Sequence, residues 1–487
     1  MALQSGMRFR FLLVGLFFLS SLNAAEKPNV LFISIDDLND WIGCLDGHPQ
    51  VQTPHIDKLA ASGVNFTNAH CQAPICNPSR ISMFLGKLPS TTGHYFLSPG
   101  LRDVDETRDS ETLFQTFRKN GYFLSTRGKI FHGKPDKDSF DHIEKAVGWR
   151  RPEKKLHYTV PGSHPLWDWG EVDVPDEEQR DYKTAAWAAE EIPKLEEKDQ
   201  PWFLAVGFSL PHVPVYASKK WFDLYPLETL ELPPMLKTDR EDIPEVALQL
   251  TANFTAPRHE WMVENDEVKH AVRAYLAANS FVDHLVGMIL DSLEKAGAKE
   301  NTVIILWSDH GFHLGEKLRW AKRTLWEETT RVPFMFAGPG VAEGGDCPKP
   351  VGLIDAYPTL LELCGLPSRS ELDGTSLTPL LKDPKSDWHL PSITTFGRNH
   401  HSIRTEKFRY THYEDGSEEL YSHVDDPNEW TNLIGDPKHS DIVKVLKQWL
   451  PKENAEPVPG SRGSDSPLYG EDKGLQNAMK KKAGKKK

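Results

Sequence analysis

Val30-Leu31-Phe32-Ile33-Ser34-Ile35 is a continuous apolar run of strand length that ends in two acids, Asp36-Asp37. A strand buried on both faces of a parallel sheet reads this way, because neither of its faces turns toward water. Val303-Ile304-Ile305-Leu306-Trp307-Ser308 repeats the pattern and ends in Asp309-His310-Gly311. Trp202 to Phe208 is a third such run and leads to Pro211-His212, and Tyr122 to Thr126 leads to Gly128-Lys129-Ile130-Phe131-His132. Ligands of open α/β sheets collect beyond the C-terminal strand ends, so the two acidic pairs are expected to converge although they are far apart in the chain.

Helical patterns lie between these strands. The clearest places Val268, Val272, Tyr275, Val282, Val286, Ile289 and Leu293 near helical spacing and stops at Gly297. Strands alternating with helices predict a doubly wound α/β architecture. After Asp373-Gly374-Thr375-Ser376 the pattern changes to short strands around the Asp415-Gly416 turn, then a terminal helix over Ile442 to Leu450. The expected organisation is a signal peptide over 1–25, a catalytic α/β domain over 26–385, a small α+β subdomain over 386–450, and a disordered lysine-rich tail over 451–487.

With 487 residues, 39% of them hydrophobic, the chain can bury a large core. Arg8 and Arg10, the apolar run Phe11 to Leu19 and Asn23-Ala24-Ala25 have the three zones of a secretory signal, so cleavage after Ala24 or Ala25 and export to periplasm or medium are expected. No later stretch reaches the roughly 18 apolar residues of a membrane span. Five cysteines are too few for a disulfide scaffold, and their odd number leaves at least one unpaired or consumed by other chemistry. A net charge of -13 argues against nucleic-acid binding, so attraction to an anionic ligand must be local.

Cys76-Asn77-Pro78-Ser79-Arg80 suggests a helix start, with Asn77 as cap and Pro78 at the first helical position, which puts Cys76 just ahead of a helix N-terminus that favours anions. A buried structural thiol and a reactive thiolate fit the same five residues. Asp36, Asp37, Asp309 and His310 suit a hard divalent cation, calcium or else magnesium, since zinc would bring more histidine or thiolate. Lys129 with His132, His212, and Lys322 in Trp320-Ala321-Lys322-Arg323 are cations and imidazoles that carry little meaning one at a time.

Together and in order, these elements resemble the sulfatases across nearly the whole mature chain: Asp36-Asp37, the Cys-x-Pro-Ser-Arg run at Cys76, Gly128-Lys129, Pro211-His212, Ser308-Asp309-His310-Gly311 and Lys322. Two residues between Lys129 and His132, Asp309-His310 and Trp320-Ala321-Lys322 are most similar to the iduronate-2-sulfatase branch. The resemblance implies an alkaline-phosphatase-like fold, a mostly parallel mixed sheet sandwiched by helices. It also implies a sulfated carbohydrate substrate, and a formylglycine-generating or sulfatase-maturing enzyme that oxidises Cys76 to formylglycine. In that scheme Asp36, Asp37, Cys76, Asp309 and His310 hold the metal, and Arg80 and Lys129 steady the formylglycine diol. Lys322 binds sulfate, His212 protonates the leaving oxygen and His132 removes the last diol proton. Three positions depart from the family pattern: Leu85 for Thr, Lys87 for Arg, and Leu210 for a lysine. The first two bear on maturation, and the third keeps iduronate specificity from being carried over. A phosphodiesterase or phosphonate monoester hydrolase of the same superfamily, and a non-catalytic binding homologue, are the alternatives.

Overall fold

In the computed structural model, which describes residues 27–161, 163–253 and 255–469, each apolar run is a strand of one sheet. In chain order its strands are β1 (Asn29–Asp36), β2 (Val64–Phe66), β3 (Phe123–Gly128), β4 (His142–Ile143), β5 (Trp202–Pro211), β6 (Thr302–Ser308), β7 (Phe334–Ala337) and β8 (Gly345–Cys347). Across the sheet they run β8-β2-β7-β6-β1-β5-β3-β4. Only the pairings of β7 with β6 and β2 are antiparallel. β1 lies at the centre, with Val30 opposite Phe203 of β5 and Val303 of β6.

Its buried residues divide by parity, as the two-residue period of a strand requires. Leu31, Ile33 and Ile35 join a core built with α1 (Pro54–Ala61), and with two later helices, Arg180–Glu196 and Val268–Lys295. Val30 and Phe32 join the opposite core, with α2 (Cys76–Leu85), α3 (Leu113–Lys119) and a helix over Ala356–Leu363. In chain order the Arg180, Val268 and Ala356 helices are α4, α5 and α6. Phe32 makes edge contacts with Phe114 and Trp307 at 5.7 and 5.4 Å between ring centres. Each such side chain contributes about 1.5–3 kcal/mol by leaving water. α5 ends as its sequence predicts, with Gly297 in the left-handed region at φ 72° just past the last turn.

A second, antiparallel sheet of β9 (Ser392–Thr395), β10 (His401–Arg404), β11 (Phe408–His412) and β12 (Glu418–Ser422) follows. The Asp415-Gly416 turn joins β11 to β12, and α7 (Ser440–Lys447) lays Val443 and Leu446 against Ile403, Tyr410 and Leu420. This small layer is tied to the main domain by ion pairs. Arg409, with no exposed surface, bonds Glu429 at 2.5 Å and also Glu327, while Arg404 bonds Glu327 at 3.1 Å. Glu327, His423 and Glu429 are close enough to share an ion, but these two guanidiniums already neutralise them.

The disordered tail expected from Pro451 does not begin there. Ala455 N–H bonds the Ser90 carbonyl at 2.8 Å, Val458 N–H bonds Gly93 at 3.0 Å, and Ser98 and Arg462 exchange two bonds. Proline and glycine there mark an ordered strap whose backbone groups find partners on residues 90–98. The expected signal peptide and the lysines from Lys480 onward lie outside the described residues. No helix among the described residues is long and apolar enough to cross a membrane.

Replacing Arg409 by Met takes a cation from two buried carboxylates, leaving Glu327 to Arg404 and Glu429 to His423, and an expected loss of about 3–5 kcal/mol would appear as a lowered Tm. Burial alone would raise Glu429, but Arg409 and His423 outweigh it and hold its pKa at about 2, against an ordinary 4.5. A depressed carboxyl stabilises the fold above its ordinary pKa and loses that contribution as pH falls through the folded one. The wild-type Tm is therefore expected to fall as pH drops from 4.5 toward about 2, more steeply than that of Arg409→Met.

Candidate active site

Four adjacent parallel strands, β6-β1-β5-β3, end along one edge, and each carries a polar group just past its last residue. β1 delivers Asp36 and Asp37, the latter in the left-handed region at φ 65°. β6 delivers Asp309 and His310; β5 ends beside His212, and β3 beside Lys129 and His132. The β1 and β6 ends are sewn together, with Asp37 N–H on Asp309 Oδ1 at 3.1 Å and Leu38 N–H on Ser308 Oγ at 3.0 Å. Tyr275 of α5 donates to the Asp37 carbonyl at 2.6 Å and accepts from Asn39 N–H at 2.9 Å, which fixes the turn leaving β1.

Cys76 lies within the first turn of α2 rather than ahead of it, with Ile75 as the extended residue before the helix. Pro78 is tolerated in that turn because its missing N–H would have no helical partner there. Asn77 does not cap: its amide donates to the Phe96 and Pro99 carbonyls at 3.0 and 2.9 Å. The Cys76 thiol is 1% exposed and faces His310 Nε2 at 3.3 Å, Lys322 Nζ at 3.1 Å, and Lys129 Nζ and Asp37 Oδ1 each at 3.9 Å.

Arg80, one turn on, is also 1% exposed and points into the strand ends. Its Nε donates to Asp309 Oδ2 at 2.8 Å and its Nη2 to Asp36 Oδ1 at 3.1 Å. Its Nη1 reaches Ser34 Oγ and the carbonyls of Lys129 and Ile130 at 2.7–3.0 Å. Lys129 pairs with Asp36, and Lys322 with Asp37 at 2.7 Å. Asp36, Asp37, Cys76, Arg80, Lys129, Asp309, His310 and Lys322 thus form one contact network. His132 and His212 border it without a hydrogen bond to any member.

The charges set each other's protonation. Burial would raise Asp36, but Lys129, His212, Arg80 and Lys322 hold it well below the usual carboxylate range. Burial would lower Lys322, but Asp37 and Cys76 raise it. His310 is likewise pulled down by burial and carried up to about 9 by Asp309 and Asp37. Burial, then Lys129, lowers His132 to about 4; burial, with Lys322 and Lys129 opposing the pull of Asp37, lowers His212 to about 3.

The donor set fits a divalent cation. Ligand atoms of Asp36, Asp37, Cys76 and His310 all lie within 4.8 Å of one another, and Asp309 is joined to this group through the Asp37 amide. His310 Nδ1 bonds the Gly311 carbonyl at 3.0 Å, which turns Nε2 toward the carboxylates, as a metal-binding imidazole requires. All five cysteines are free, Cys76 among them.

Sequence reasoning gave Tyr275 only as core packing and assigned no role to the hydroxyls of Ser34 and Ser308. The signal for the two serines was faint: a lone serine near the end of each of two apolar strands, where a buried hydroxyl needs a partner.

Residues 28–366 match the Sulfatase family model, and residues 315–456 match the one described as N-sulphoglucosamine sulphohydrolase, C-terminal. A sulfatase of Formosa agariphila is 40% identical over 475 residues, 94% of this chain and 93% of its own length. Iduronate 2-sulfatase of Mus musculus is 30% identical over 396 residues, covering 71% of this chain and 70% of its own. The solved fold of a 2-O GAG sulfatase aligns with a TM-score of 0.68 at 24% identity, covering 91% of this chain and 98% of that one. The family match and these relatives, on an alkaline-phosphatase-like sheet, make the chain a sulfuric ester hydrolase. The chain belongs to the sulfatase family.

Lys129 is placed by two glycines. Gly128, at φ 89°, and Gly207 face each other across β3 and β5, and the Lys129 N–H bonds Gly207 O at 2.9 Å. A Cβ on Gly207 would stand 2.3 Å from the Lys129 carbonyl carbon, so the backbone must shift. Gly207→Ala is expected to cost about 10²-fold in turnover of an aryl sulfate, the penalty of moving a cation of the site by about an ångström. Steady-state kinetics on folded protein checks this.

Proposed function

We propose that the protein is an exported sulfatase that removes sulfate esters from a uronate-containing saccharide, with its nucleophile made from Cys76. The observation that carries this reading is the setting of Cys76: a buried thiol at a helix start, ringed by two lysines, a histidine and an aspartate. Oxidised to formylglycine and hydrated, Cys76 would supply one hydroxyl to attack sulfur and a second whose deprotonation frees the product. A divalent cation, calcium in preference to magnesium, held by Asp36, Asp37, Asp309, His310 and the modified Cys76, would offset the sulfate charge and acidify the attacking hydroxyl.

The remaining roles belong to side chains of this chain. Lys129, 3.9 Å from the sulfur, and Arg80 steady the oxygens on Cys76 as charged donors. Lys322, 3.1 Å from its sulfur atom, binds a sulfate oxygen as a charge-assisted donor. His212 gives its proton to the alcohol oxygen as the sulfur–oxygen bond breaks. Its Nδ1 lies 2.5 Å from the Val213 carbonyl, so the catalytic proton is carried on Nε2 of the charged ring, a form that the entering sulfate favours by its own negative charge. His132, held neutral at pH 7 by burial and Lys129, takes the proton of the second hydroxyl; the aldehyde re-forms as sulfate leaves. The likeness to an iduronate 2-sulfatase supports an acidic sugar, while Leu210, in place of the family lysine, leaves the particular sugar open. The amino-terminal signal pattern supports export.

Two measurements test this. The Cys76 peptide from protein made with a maturation enzyme is expected to be lighter than its cysteine form; active protein carrying only unmodified cysteine would defeat the formylglycine reading. His212→Ala is expected to reduce turnover of sugar sulfates by about 10²–10⁴-fold, and that of aryl sulfates, whose leaving groups need little protonation, far less. Equal losses on both would remove His212 from the acid role.

A further inference from the structure

The chemistry proposed above uses Lys322 and leaves its neighbours Arg319 and Arg323 without a task. Arg319 is 9% exposed, and among the described residues it has no ion pair and no side-chain hydrogen bond; its Nε is enclosed without any partner. Arg323 is 6% exposed, with its own Nε unpartnered and Nη1 bonded to the Ser464 carbonyl and Asp465. Lys317, on the same segment, differs in being paired with Asp239 at 2.7 Å. Burial chiefly, then the like charges of Arg240 and Arg323, pull Arg319 down to about 9. Taking a guanidinium out of water with no opposing group is destabilising, and buried arginines are normally paired.

The segment is anchored beside the reacting centre. Lys322 touches Cys76 and Asp37, and Arg323 N–H bonds Pro74 O at 3.0 Å, two residues before Cys76. Arg319 is three residues from Lys322, so their Cα atoms lie within about 11 Å even if the chain is extended. Between them Trp320 is buried, with Nε1 bonded to His259 at 3.2 Å and the two rings stacked. The backbone carrying Arg319 therefore has a fixed course, and its planar fork matches an oxyanion.

We propose that Arg319, with Arg240 and Arg323 beside it, binds a second anionic group of the sulfated substrate, a uronate carboxylate or a further sulfate, while the ester sulfate rests against Lys322. This builds on the proposed placement of the ester and makes Arg319 a specificity-determining residue.

Calorimetric titration of the full chain with a monosulfated neutral hexose, a monosulfated uronic acid and a disulfated hexose tests it. At least one dianion is expected to bind about tenfold more tightly than the monoanion, the size of one charge-assisted pair. Preference for the uronic acid identifies a carboxylate as the second group; preference for the disulfate identifies a sulfate. Arg319→Gln is expected to erase the preference, Arg319→Lys to keep part of it, and Arg240→Gln to reduce it. Equal binding of all three sugars by the wild-type chain overturns the proposal. So does an equal weakening of all three by Arg319→Gln, which would mark a structural role, or an unaltered preference in both Gln variants. Aryl-sulfate turnover is followed in parallel: its absence with the dianion preference intact counts against the proposed mechanism and not against this subsite.

Discussion

Arg80 is the interaction on which the site depends. β1 and β6 are hydrogen-bonded neighbours, and each ends in a buried carboxylate, Asp36 and Asp309. Two such charges taken from water at adjacent strand ends repel each other and lose solvation, and neither would stay ionised unaided. The Arg80 guanidinium bonds both and at the same time ties down the backbone after β3 through the Lys129 and Ile130 carbonyls. One side chain thereby joins α2, which carries Cys76, to three strand ends. Its position over the Trp307 ring at 5.4 Å sets it on the aromatic core beneath.

Around Arg80 three carboxylates, Asp36, Asp37 and Asp309, face three cations, Arg80, Lys129 and Lys322, with His310 carried up to about 9 beside them. A paired buried set adds little to stability, since desolvation offsets the attraction. Its value lies in pre-organisation, because cations already fixed in place need no rearrangement when negative charge enters or develops. The histidines at the border, both held neutral at pH 7 in the free protein, add no charge to that set.

Much of this was legible in the sequence because it is local. Buried parallel strands announce themselves as unbroken apolar runs, and the residue after each run is placed by the fold, so Asp36, Asp309, His212 and Lys129 could be read at strand ends. The roles of Cys76, Arg80 and Lys322 came from family resemblance, since a cysteine or lysine alone is uninformative. What stayed hidden depends on distant partners. Nothing near Arg409 in the chain indicates Glu327, 82 residues away. Asn77 looked like a helix cap because a cap is a local pattern, whereas its bonds go to carbonyls 19 and 22 residues on. The strap over 451–469 has the composition of a loose tail and is ordered by distant partners, among them residues 90–98 and Arg323.

Those distant contacts explain why a small antiparallel layer accompanies the catalytic sheet. Residues 319–325 form no regular helix or strand, and Arg323 sits at φ 75°, so the segment that presents Lys322 is held by scattered turn bonds, such as His313 N–H on the Ala321 carbonyl at 3.1 Å, and not by a helix or strand ladder. It is clamped from behind, where Glu327 lies between Arg404 and Arg409 and Trp326 donates to Glu419 at 2.8 Å. The segment carries Arg319, Lys322 and Arg323 within five residues. On a chain of net charge -13 such a cluster cannot arise from overall composition; it requires a rigid backing that keeps like charges together. Mutual repulsion would otherwise spread these side chains into solvent, where salt would screen them from an anionic sugar within about 8–10 Å. The C-terminal layer thus bears on the site indirectly, by fixing the segment that presents Lys322 to Asp37 and Cys76.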